Sequence, residues 1–453
     1  MHTERYPDTV WYVNTASLPP GPSAPRALQT ARWLVRPSAY MEDCRRRYGE
    51  SFTLKVAHEG TWVFITDPDA IKQVFTGDPR LLHAGEAAVI LLPVVGSNSV
   101  LLLDEAAHMR QRKLMLPPFH GERLRGYADA MEQVAEAEIE RWPLGEPFRT
   151  LPRMQALTLE VIMRTVFGVQ DEERKARLGA ALSEIIGWAT DPRRMALLAA
   201  LGPHRTARLR LFRRMLEPSD ELIYDEIRER RRAGDLAERD DIMSLLLQAE
   251  HDDGSAMSDT ELRDELMTLL IAGHETTATG VAWALERLVR HPGILERLGE
   301  DDKYADAVVK ETLRLRPPVG IVVRRLAESM EIGGRTLPAG SAVAPCIYLL
   351  HRRADIYPEP LRFRPERFLA GQGGTYTWIP FGGGVRRCLG ASFAQLEMRI
   401  VLQAVARRLE LRRAGGPPER INRRGILLVP ARGGEIVARA RRPAGRGAAP
   451  LAA

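Results

Sequence analysis

Cysteine is scarce in this chain. Only 3 cysteines occur among 453 residues, at Cys44, Cys346 and Cys388. A sparse and odd-numbered set argues against a disulfide scaffold and is typical of proteins from a reducing compartment. Cys44 lies in a polar stretch that is predicted to be helical, and Cys346 lies in an apolar, strand-like run. We therefore interpret these two as structural.

Long apolar runs are also missing. No segment reaches the roughly 18 apolar residues that a membrane-spanning helix needs, and residues 1–17 lack the basic and then apolar order of a signal peptide. We therefore expect a soluble, cytoplasmic protein with no membrane anchor. The formal net charge is +6. Because the arginines are spread over predicted helices, we expect an acidic protein partner and no nucleic acid.

The composition is that of a large globular protein. Hydrophobic residues make up 45% of the chain, which is enough for an extensive core. Length alone would suggest about three domains, but the motifs described below are spread along the chain and must meet at one site. We predict a proline-rich arm over residues 1–25, one domain over residues 26–440 and a disordered Pro/Gly/Ala-rich tail over residues 441–453.

The pattern of apolar residues predicts a mainly helical fold with a smaller β region. The longest helical run covers residues 258–290, where Ser258 and Glu261 form a capping box. Residues 83–100 are irregular and apolar, and we interpret them as a loop that lines a pocket. The other predicted helices cover residues 26–47, 67–75, 126–177 and 178–232, and the predicted strands cover residues 52–56, 62–65, 330–332, 335–337, 341–344, 426–429 and 435–439.

The most informative stretch is Phe381–Gly390, which contains Cys388. Its glycines allow the backbone to turn sharply and to lie close to a flat object. Backbone N–H groups can then point at the sulfur, and the helix predicted to begin after Gly390 adds its dipole, so a thiolate is favoured. Arg386 supplies a cation two residues earlier. These features predict a haem iron bound by Cys388, with Arg386 at a haem propionate.

Other interpretations require residues that the sequence does not offer. A nucleophilic cysteine needs a histidine partner, and none is evident near Cys388. A phosphate-binding loop needs Gly-Lys-Ser/Thr after a strand, whereas residues 386–388 are Arg-Arg-Cys. The segment His274–Ala278 begins like a zinc-protease motif but has alanine where the second histidine is required.

The order Phe-x-x-Gly-x-Arg-x-Cys-x-Gly in Phe381–Gly390 resembles the haem-ligand signature of the cytochrome P450 family. The resemblance covers nearly the whole chain, with further motifs in the family's order. It implies a cytochrome P450 fold whose single catalytic domain, residues 26–440, holds one haem b. It also implies that Cys388 is the proximal iron ligand, with Phe381, Gly382 and Gly390 beside the cofactor.

The middle of the long helix resembles the oxygen-activation segment of the same family. Residues 272–277 are Ala-Gly-His-Glu-Thr-Thr. The small residues Ala272 and Gly273 would let the helix pass close to the haem. The Thr276 hydroxyl could bond back to a carbonyl and open a kink that leaves room for dioxygen and water. By this resemblance, Glu275 and Thr276 deliver protons.

A second set of predicted haem contacts is basic. His108 and Arg112 are four residues apart and share a helix face. The family usually has tryptophan or histidine and then arginine at this spacing, with both side chains at the propionates. Taken alone, an exposed basic face explains the pair better; together with Cys388, the haem contact is favoured. Arg324 is a candidate for the second propionate, and Arg325 remains an alternative.

A third motif has a structural role. Glu311 and Arg314 are three residues apart on a predicted helix, an arrangement that is common and usually exposed. The family buries such a pair with an arginine from a later Pro-Glu-Arg-Phe segment, and Pro365–Phe368 has this sequence. The resemblance implies a buried network of Glu311, Arg314 and Arg367 that supports the cysteine loop.

The implied reaction is the insertion of one oxygen atom from dioxygen into an apolar substrate of the fatty acid, terpenoid or macrolide class. A peroxide-using or isomerising relative typically lacks the acid–threonine pair, and a haem sensor needs neither that pair nor an apolar pocket, so a monooxygenase is favoured. Because the chain ends soon after the haem region, we expect electrons from separate proteins, a ferredoxin or flavodoxin with its NAD(P)H reductase. The candidate pocket residues are Val94, Val95, Val319, Ile321, Ile426 and Leu427.

Overall fold

The computed structural model describes residues 17–57, 59–169, 171–191, 194, 201–299 and 301–441. The protein is mainly helical with a smaller share of strand, so the predicted fold class is confirmed. Residues 1–16 of the predicted arm, His58 between the first two predicted strands and residues 442–453 of the predicted tail lie outside the described residues.

The helices and strands, numbered here in chain order, have the following bounds. The helices are α1 Arg26–Val35, α2 Pro37–Tyr48, α3 Pro68–Thr76, α4 Ala84–Ala87, α5 Leu92–Val95, α6 Glu105–Met115, α7 Glu122–Gly126, α8 Ala128–Glu140, α9 Thr150–Thr165, α10 Glu172–Thr190, α11 Pro203–Arg208, α12 Arg210–Arg232, α13 Ile242–Gln248, α14 Asp259–Leu288, α15 Pro292–Leu298, α16 Asp302–Leu315, α17 Ile347–Leu350, α18 Glu366–Leu369 and α19 Ala391–Arg408. The strands are β1 Ser51–Val56, β2 Gly60–Ile65, β3 Leu82–His83, β4 Pro147–Arg149, β5 Arg324–Leu326, β6 Met330–Ile332, β7 Arg335–Leu337, β8 Ala342–Pro345, β9 Leu409–Arg413, β10 Ile421–Arg424, β11 Leu427–Pro430 and β12 Glu435–Ala440.

The long helix α14 runs through the centre of the helical part. It begins with the predicted capping box, in which the Ser258 side chain accepts from the Glu261 N–H and the Glu261 side chain accepts from the Ser258 N–H. Most of its residues are buried, and it packs against α9, α19 and α16 and against strand β11. Side chains on α14 can therefore contact several other elements of the fold, and the candidate site includes some of these side chains.

A five-stranded sheet forms the main part of the β region. Its strand order is β1-β2-β8-β5-β3; β2 and β8 are parallel, and the other pairs are antiparallel. Phe52 and Phe64 stack on one face with their ring centroids 5.0 Å apart. Arg324 is the first residue of β5 and follows the apolar segment of residues 317–323.

Two local predictions need correction. The helix expected over residues 26–47 is two helices, because Pro37 disfavours helical angles at Arg36, which has φ −142° and ψ 59°. Residues 83–100 are not irregular throughout but contain the helical turns α4, Val89–Leu91 and α5. Among the C-terminal strands, β11 pairs with β10, and β12 lies between β4 and β9.

The structure brings the three predicted members of the ion network together. The Glu311 carboxylate lies 2.7 Å from Arg314 Nε and 3.2 Å from Arg367 Nε, and all three side chains have no exposed surface. Arg314 also donates to the carbonyls of His351 and Pro360, at 2.7 and 2.8 Å. One carboxylate therefore pairs with two arginines, and Arg314 also binds carbonyls of the chain that leads to the cysteine loop.

We expect Glu311→Gln to destabilise the protein strongly. The substitution keeps the shape but leaves two buried guanidinium groups without a counter-charge, and breaking a buried ion pair costs about 3–5 kcal/mol. The measurement is the urea midpoint of the holoprotein, followed by far-ultraviolet circular dichroism. The control is Glu122→Gln, whose side chain is 92% exposed in an ion pair with Arg125 and should have almost no effect. Equal midpoints for the two variants would contradict the role given to the network.

Candidate active site

The cysteine loop is held by close packing against helix α3. Gly384 has φ +65°, and a Cβ atom there would lie 1.9 Å from the Phe75 carbonyl oxygen. At Gly383 a Cβ would lie 2.2 Å from the Phe75 ring. The packing of the loop on α3 therefore requires glycine at both positions. This requirement was not visible in the sequence.

Cys388 lies in a recess within the protein. Its side chain is accessible to solvent, yet its protein surroundings raise the pKa of the thiol by burial. The Gly390 N–H, Arg112 and Arg387 oppose that rise, and α19 begins directly afterwards at Ala391. The groups predicted to stabilise a thiolate are therefore present beside the sulfur, where they act against the effect of burial.

Helix α14 presents a narrow accessible strip in its otherwise buried middle. Leu269, Ala272, Gly273 and Thr276 all retain exposed surface, and their spacing places them on one face of the helix. The Thr276 hydroxyl donates to the Ala272 carbonyl at 2.6 Å, as the sequence predicted. Small residues along this strip leave open space beside the helix.

Glu275 lies on a different face of α14 and is buried. Its carboxylate accepts a hydrogen bond from Gln155 Nε2 at 2.6 Å and lies 3.8 Å from Arg424 Nη1. Burial raises the pKa of Glu275, and Arg424 and Gln155 oppose that rise. The structure therefore separates the two residues predicted to deliver protons, because Thr276 faces the open strip and Glu275 faces the protein.

The predicted propionate contacts come together as a basic cluster. Burial, together with nearby Arg386, Arg112 and Arg324, lowers the pKa of His108 to about 3. Burial and Arg386 lower the pKa of Arg324 to about 10. Arg112 donates to the Arg387 carbonyl at 2.8 Å, which joins helix α6 to the cysteine loop. Positive charge is therefore concentrated around His108, where α6, β5 and the cysteine loop meet.

One carboxylate that the sequence reasoning missed lies in this cluster. Asp104 pairs with Arg386 and accepts from the N–H groups of Ala84, Gly85 and Glu86, each at 2.9 Å. Its position just before α6, at an expected N-cap, was the available signal. A single carboxylate among three arginines leaves a net positive site.

The structure favours Arg324 over Arg325 for this cluster. Arg325 donates to the carbonyls of Gly340 and Glu59, at 2.9 and 3.0 Å, and lies 3.5 Å from the Glu86 carboxylate. Arg324 donates only to the Val323 carbonyl, at 2.8 Å, among the hydrogen bonds of the described residues. The guanidinium group of Arg325 is therefore already bonded to backbone carbonyls, whereas that of Arg324 has fewer protein partners.

The candidate pocket residues have different exposures. Val94, Val319 and Ile321 are partly buried, and Ile426 is 49% exposed at the turn between β10 and β11. Val95 has no exposed surface and Leu427 only 6%, so both pack in the protein interior. Val94 is thus better placed than Val95 to contact a ligand.

These features fit a haem. The described residues offer an accessible sulfur at Cys388, an accessible strip with small residues on α14 and a cluster of three arginines around His108. A haem needs an axial ligand, an apolar face and partners for two propionates. The residues that would hold it are Cys388, Phe381, Gly382, Gly390, Ala272, Gly273, His108, Arg112, Arg324 and Arg386.

The family model for Cytochrome P450 matches residues 19–437. The chain belongs to the cytochrome P450 family. It is similar to the putative cytochrome P450 135B1 of Mycobacterium tuberculosis, with 43% identity over 95% of this chain and 93% of that protein. It is also similar to the putative cytochrome P450 135A1 of the same species, with 41% identity over 93% of this chain and 95% of that protein.

Solved structures of other cytochromes P450 share the fold. Retinoic acid-bound cyanobacterial CYP120A1 superposes with a TM-score of 0.78 at 22% identity, covering 94% of this chain and 99% of that chain. The haem domain of cytochrome P450DA gives the same TM-score at 23% identity, covering 94% of this chain and 98% of that chain.

Membership of the family establishes the cofactor and the reaction class. This cytochrome P450 binds haem b and is a haem-thiolate monooxygenase. Cytochromes P450 usually need separate redox proteins as electron donors. Among the described residues, no helix combines the length and the apolar composition needed to cross a membrane.

We expect Cys388 to be the iron ligand. The reduced carbonyl complex of the wild type should show the red-shifted Soret band of thiolate ligation, and both Cys388→Ala and Cys388→His should lose it. Cys346→Ala is the matched control, because that cysteine is fully buried and should leave the band unchanged. Retention of the band in either Cys388 variant would assign the ligand elsewhere.

Proposed function

We propose that this cytochrome P450 inserts one oxygen atom from dioxygen into an apolar substrate, with fatty acids the first class to test and terpenoids and macrolides next. In this proposal residues 26–440 form one catalytic domain. The observation that carries the substrate class is the apolar, accessible set of Val94, Val319, Ile321 and Ile426. Apolar walls bind chiefly by the area that they remove from water, about 25 cal/mol per Å².

Two arginines favour a carboxylate at the edge of this apolar set. Arg205 and Arg208 lie on α11, which packs directly against α5, the helix that carries Val94. Both side chains are exposed, and neither forms an ion pair with a described residue. A long-chain acid could therefore place its chain along the apolar residues and its carboxylate at α11.

The haem supplies the oxygen chemistry, and thiolate ligation favours O–O cleavage. The protein supplies ligation, substrate position and protons. We assign the iron ligand to Cys388, the propionate contacts to the basic cluster and the proton-handling groups to Thr276 and Glu275. Thr276 faces the open strip of α14, and Glu275 lies one residue before it on the buried face, so the hydroxyl is placed nearer to a substrate than the acid.

We expect Val319→Phe and Val94→Phe to weaken the binding of long-chain fatty acids. A ring at either position takes up space that the ligand needs, and roughly tenfold weaker binding corresponds to about 1.4 kcal/mol. The measurement is the Soret shift on titration with a long-chain acid. The reduced carbonyl spectrum should remain intact in both variants.

Matched controls separate the pocket from a general effect of a larger side chain. Val35→Phe changes a residue that is 68% exposed on α1 and should leave binding unchanged. Arg208→Gln should weaken acids more than the corresponding alcohols. Tight binding of a small polar compound, with long-chain acids and terpenoids giving no shift, would exclude the proposed substrate class.

We further propose that an acidic ferredoxin or flavodoxin, reduced by its NAD(P)H reductase, docks on the face formed by α6 and the cysteine loop. Arg387 is exposed and its side chain has no ion pair among the described residues. Two other cations on α6 and one on the neighbouring helix α19 are already paired with aspartates. Arg110 lies 2.9 Å from Asp253, Lys113 lies 2.9 Å from Asp252, and Arg399 lies 3.2 Å from Asp302.

We expect the rate of reduction by such a partner to fall as salt rises, because exposed charges are screened within about 8–10 Å. Arg387→Glu and Lys113→Glu should slow reduction further. The double variant Asp252→Asn/Asp253→Asn should speed it, because it releases Arg110 and Lys113 from exposed ion pairs.

The control is Arg46→Glu, an equal charge change on the exposed face of α2, with a side chain that is 76% exposed. It should leave the reduction rate unchanged. A rate that is insensitive both to ionic strength and to charge reversal at Arg387 would exclude docking on this face.

A further inference from the structure

Glu275 is held between two side chains from other elements. It is 6% exposed, and Gln155 on α9 donates to its Oε1 atom at 2.6 Å. The second oxygen, Oε2, is buried, receives no hydrogen bond from a described residue and lies 3.8 Å from Arg424 Nη1. One oxygen is therefore fixed by a neutral donor, and the other faces a cation without being bonded to it.

The position of Arg424 relative to α14 is set by the hairpin of β10 and β11. Arg424 is the last residue of β10 and pairs with Leu427 across the turn. The next residue along, Leu428, accepts a hydrogen bond from Trp283 Nε1 at 2.9 Å, and Trp283 belongs to α14 itself. The helix that carries Glu275 therefore also anchors the strand pair that carries Arg424.

We propose that Arg424 and Gln155 are positioning residues that orient Glu275 and set its protonation for proton delivery. This inference rests on the proton-handling role assigned to Glu275 in the proposed function. It adds two residues from remote segments, α9 and the β10–β11 hairpin, that do not belong to the Ala272–Thr277 motif. Neither residue lies on the open strip of α14, so each acts through Glu275.

The charges around Glu275 are few. Burial raises its pKa, and Arg424 and then Gln155 oppose the rise. His274 is the other titratable neighbour, with Nε2 at 3.9 Å from Glu275 Oε1. Burial and Arg424 lower the pKa of His274 to about 4, and its Nδ1 atom lies 2.9 Å from the Thr158 hydroxyl, so it is neutral near pH 7. Arg424 is thus the principal charge that favours the ionised form of Glu275.

Loss of either positioning residue should raise the pKa of Glu275. Removing Arg424 or the Gln155 donor takes away a group that favours the carboxylate, so the pKa of Glu275 should move up and the protonated form should persist to higher pH. Arg424→Lys keeps the positive charge and should stay closer to the wild type. Loss of Arg424 also removes one cause of the low pKa of His274, but burial, which is the larger cause, remains.

The first experiment measures Glu275 itself, without turnover. Infrared difference spectra of the holoprotein, recorded as a function of pH, follow the C=O stretch of protonated carboxyl groups, and Glu275→Gln identifies its band. We expect the midpoint of this band to move to higher pH in Arg424→Gln and Gln155→Leu and to move less in Arg424→Lys. Arg420→Gln, an equal charge change at an exposed residue four positions earlier, should not move it.

The second experiment measures the fraction of electrons that reach product, with hydrogen peroxide as the competing output. If protonated Glu275 is the donor, this fraction falls at high pH, and the fall should move to higher pH in Arg424→Gln in step with the infrared midpoint. Thr276→Ala should release more peroxide at every pH but leave the Glu275 band in place, because Thr276 lies on another face of the helix.

The two experiments separate the inference from the function on which it rests. An infrared midpoint that is the same in Arg424→Gln, Gln155→Leu and the wild type would overturn the positioning role, whatever the turnover shows. Unchanged coupling in Glu275→Gln, with the infrared shifts present, would instead remove Glu275 from proton delivery and leave Arg424 and Gln155 as determinants of its charge only.

Discussion

The burial of one carboxylate between two arginines is the constraint on which the rest of the site depends. Glu311, Arg314 and Arg367 have no exposed side-chain surface, so none of them can be satisfied by water. Arg314 and Arg367 also donate to carbonyls of the segment between α17 and α18. The Ile379 N–H, which follows α18 along the chain, donates to His351 Nε2 at 3.0 Å. Buried charged groups are costly unless each one is paired. The pairing of Glu311, Arg314 and Arg367 therefore fixes the path of the chain that leads to the cysteine loop.

The loop that follows has little freedom of its own. Gly383 and Gly384 are pressed against Phe75 on α3, while Arg386 reaches Asp104 just before α6. Asp104 also accepts three backbone N–H groups at the start of α4. The loop is therefore tied on one side to a helix of the sheet region and on the other to the helix that carries His108 and Arg112. Cys388 remains accessible between these attachments.

Helix α14 divides the predicted proton pathway between two environments. Its open strip carries Thr276 beside small residues, which suits contact with a cofactor and a substrate. Its buried face carries Glu275, whose charge is governed by Gln155 and Arg424 from elements far away in sequence. Burial raises the pKa of the acid, whereas the Thr276 hydroxyl lies on the accessible strip and donates a hydrogen bond to the Ala272 carbonyl. The separation gives each residue the setting that its proposed role requires.

The sequence by itself predicted the mainly helical fold class, the long central helix with its capping box and the glycine-rich cysteine loop, because apolar periodicity, capping residues and glycine spacing are visible in one dimension. The membership of Glu311, Arg314 and Arg367 in one network was implied by the resemblance to the cytochrome P450 family and not by their spacing. The sequence did not predict Asp104, the choice of Arg324 over Arg325, the burial of Val95 or the contacts of Arg424 and Gln155 with Glu275. Those depend on which distant segments meet: β5 turns one arginine toward the recess and the other toward Gly340, and the β10–β11 hairpin reaches α14 through Trp283. Side-chain direction at such meeting points is decided by packing and by the pairing of buried charges, and only the tertiary structure contains that information.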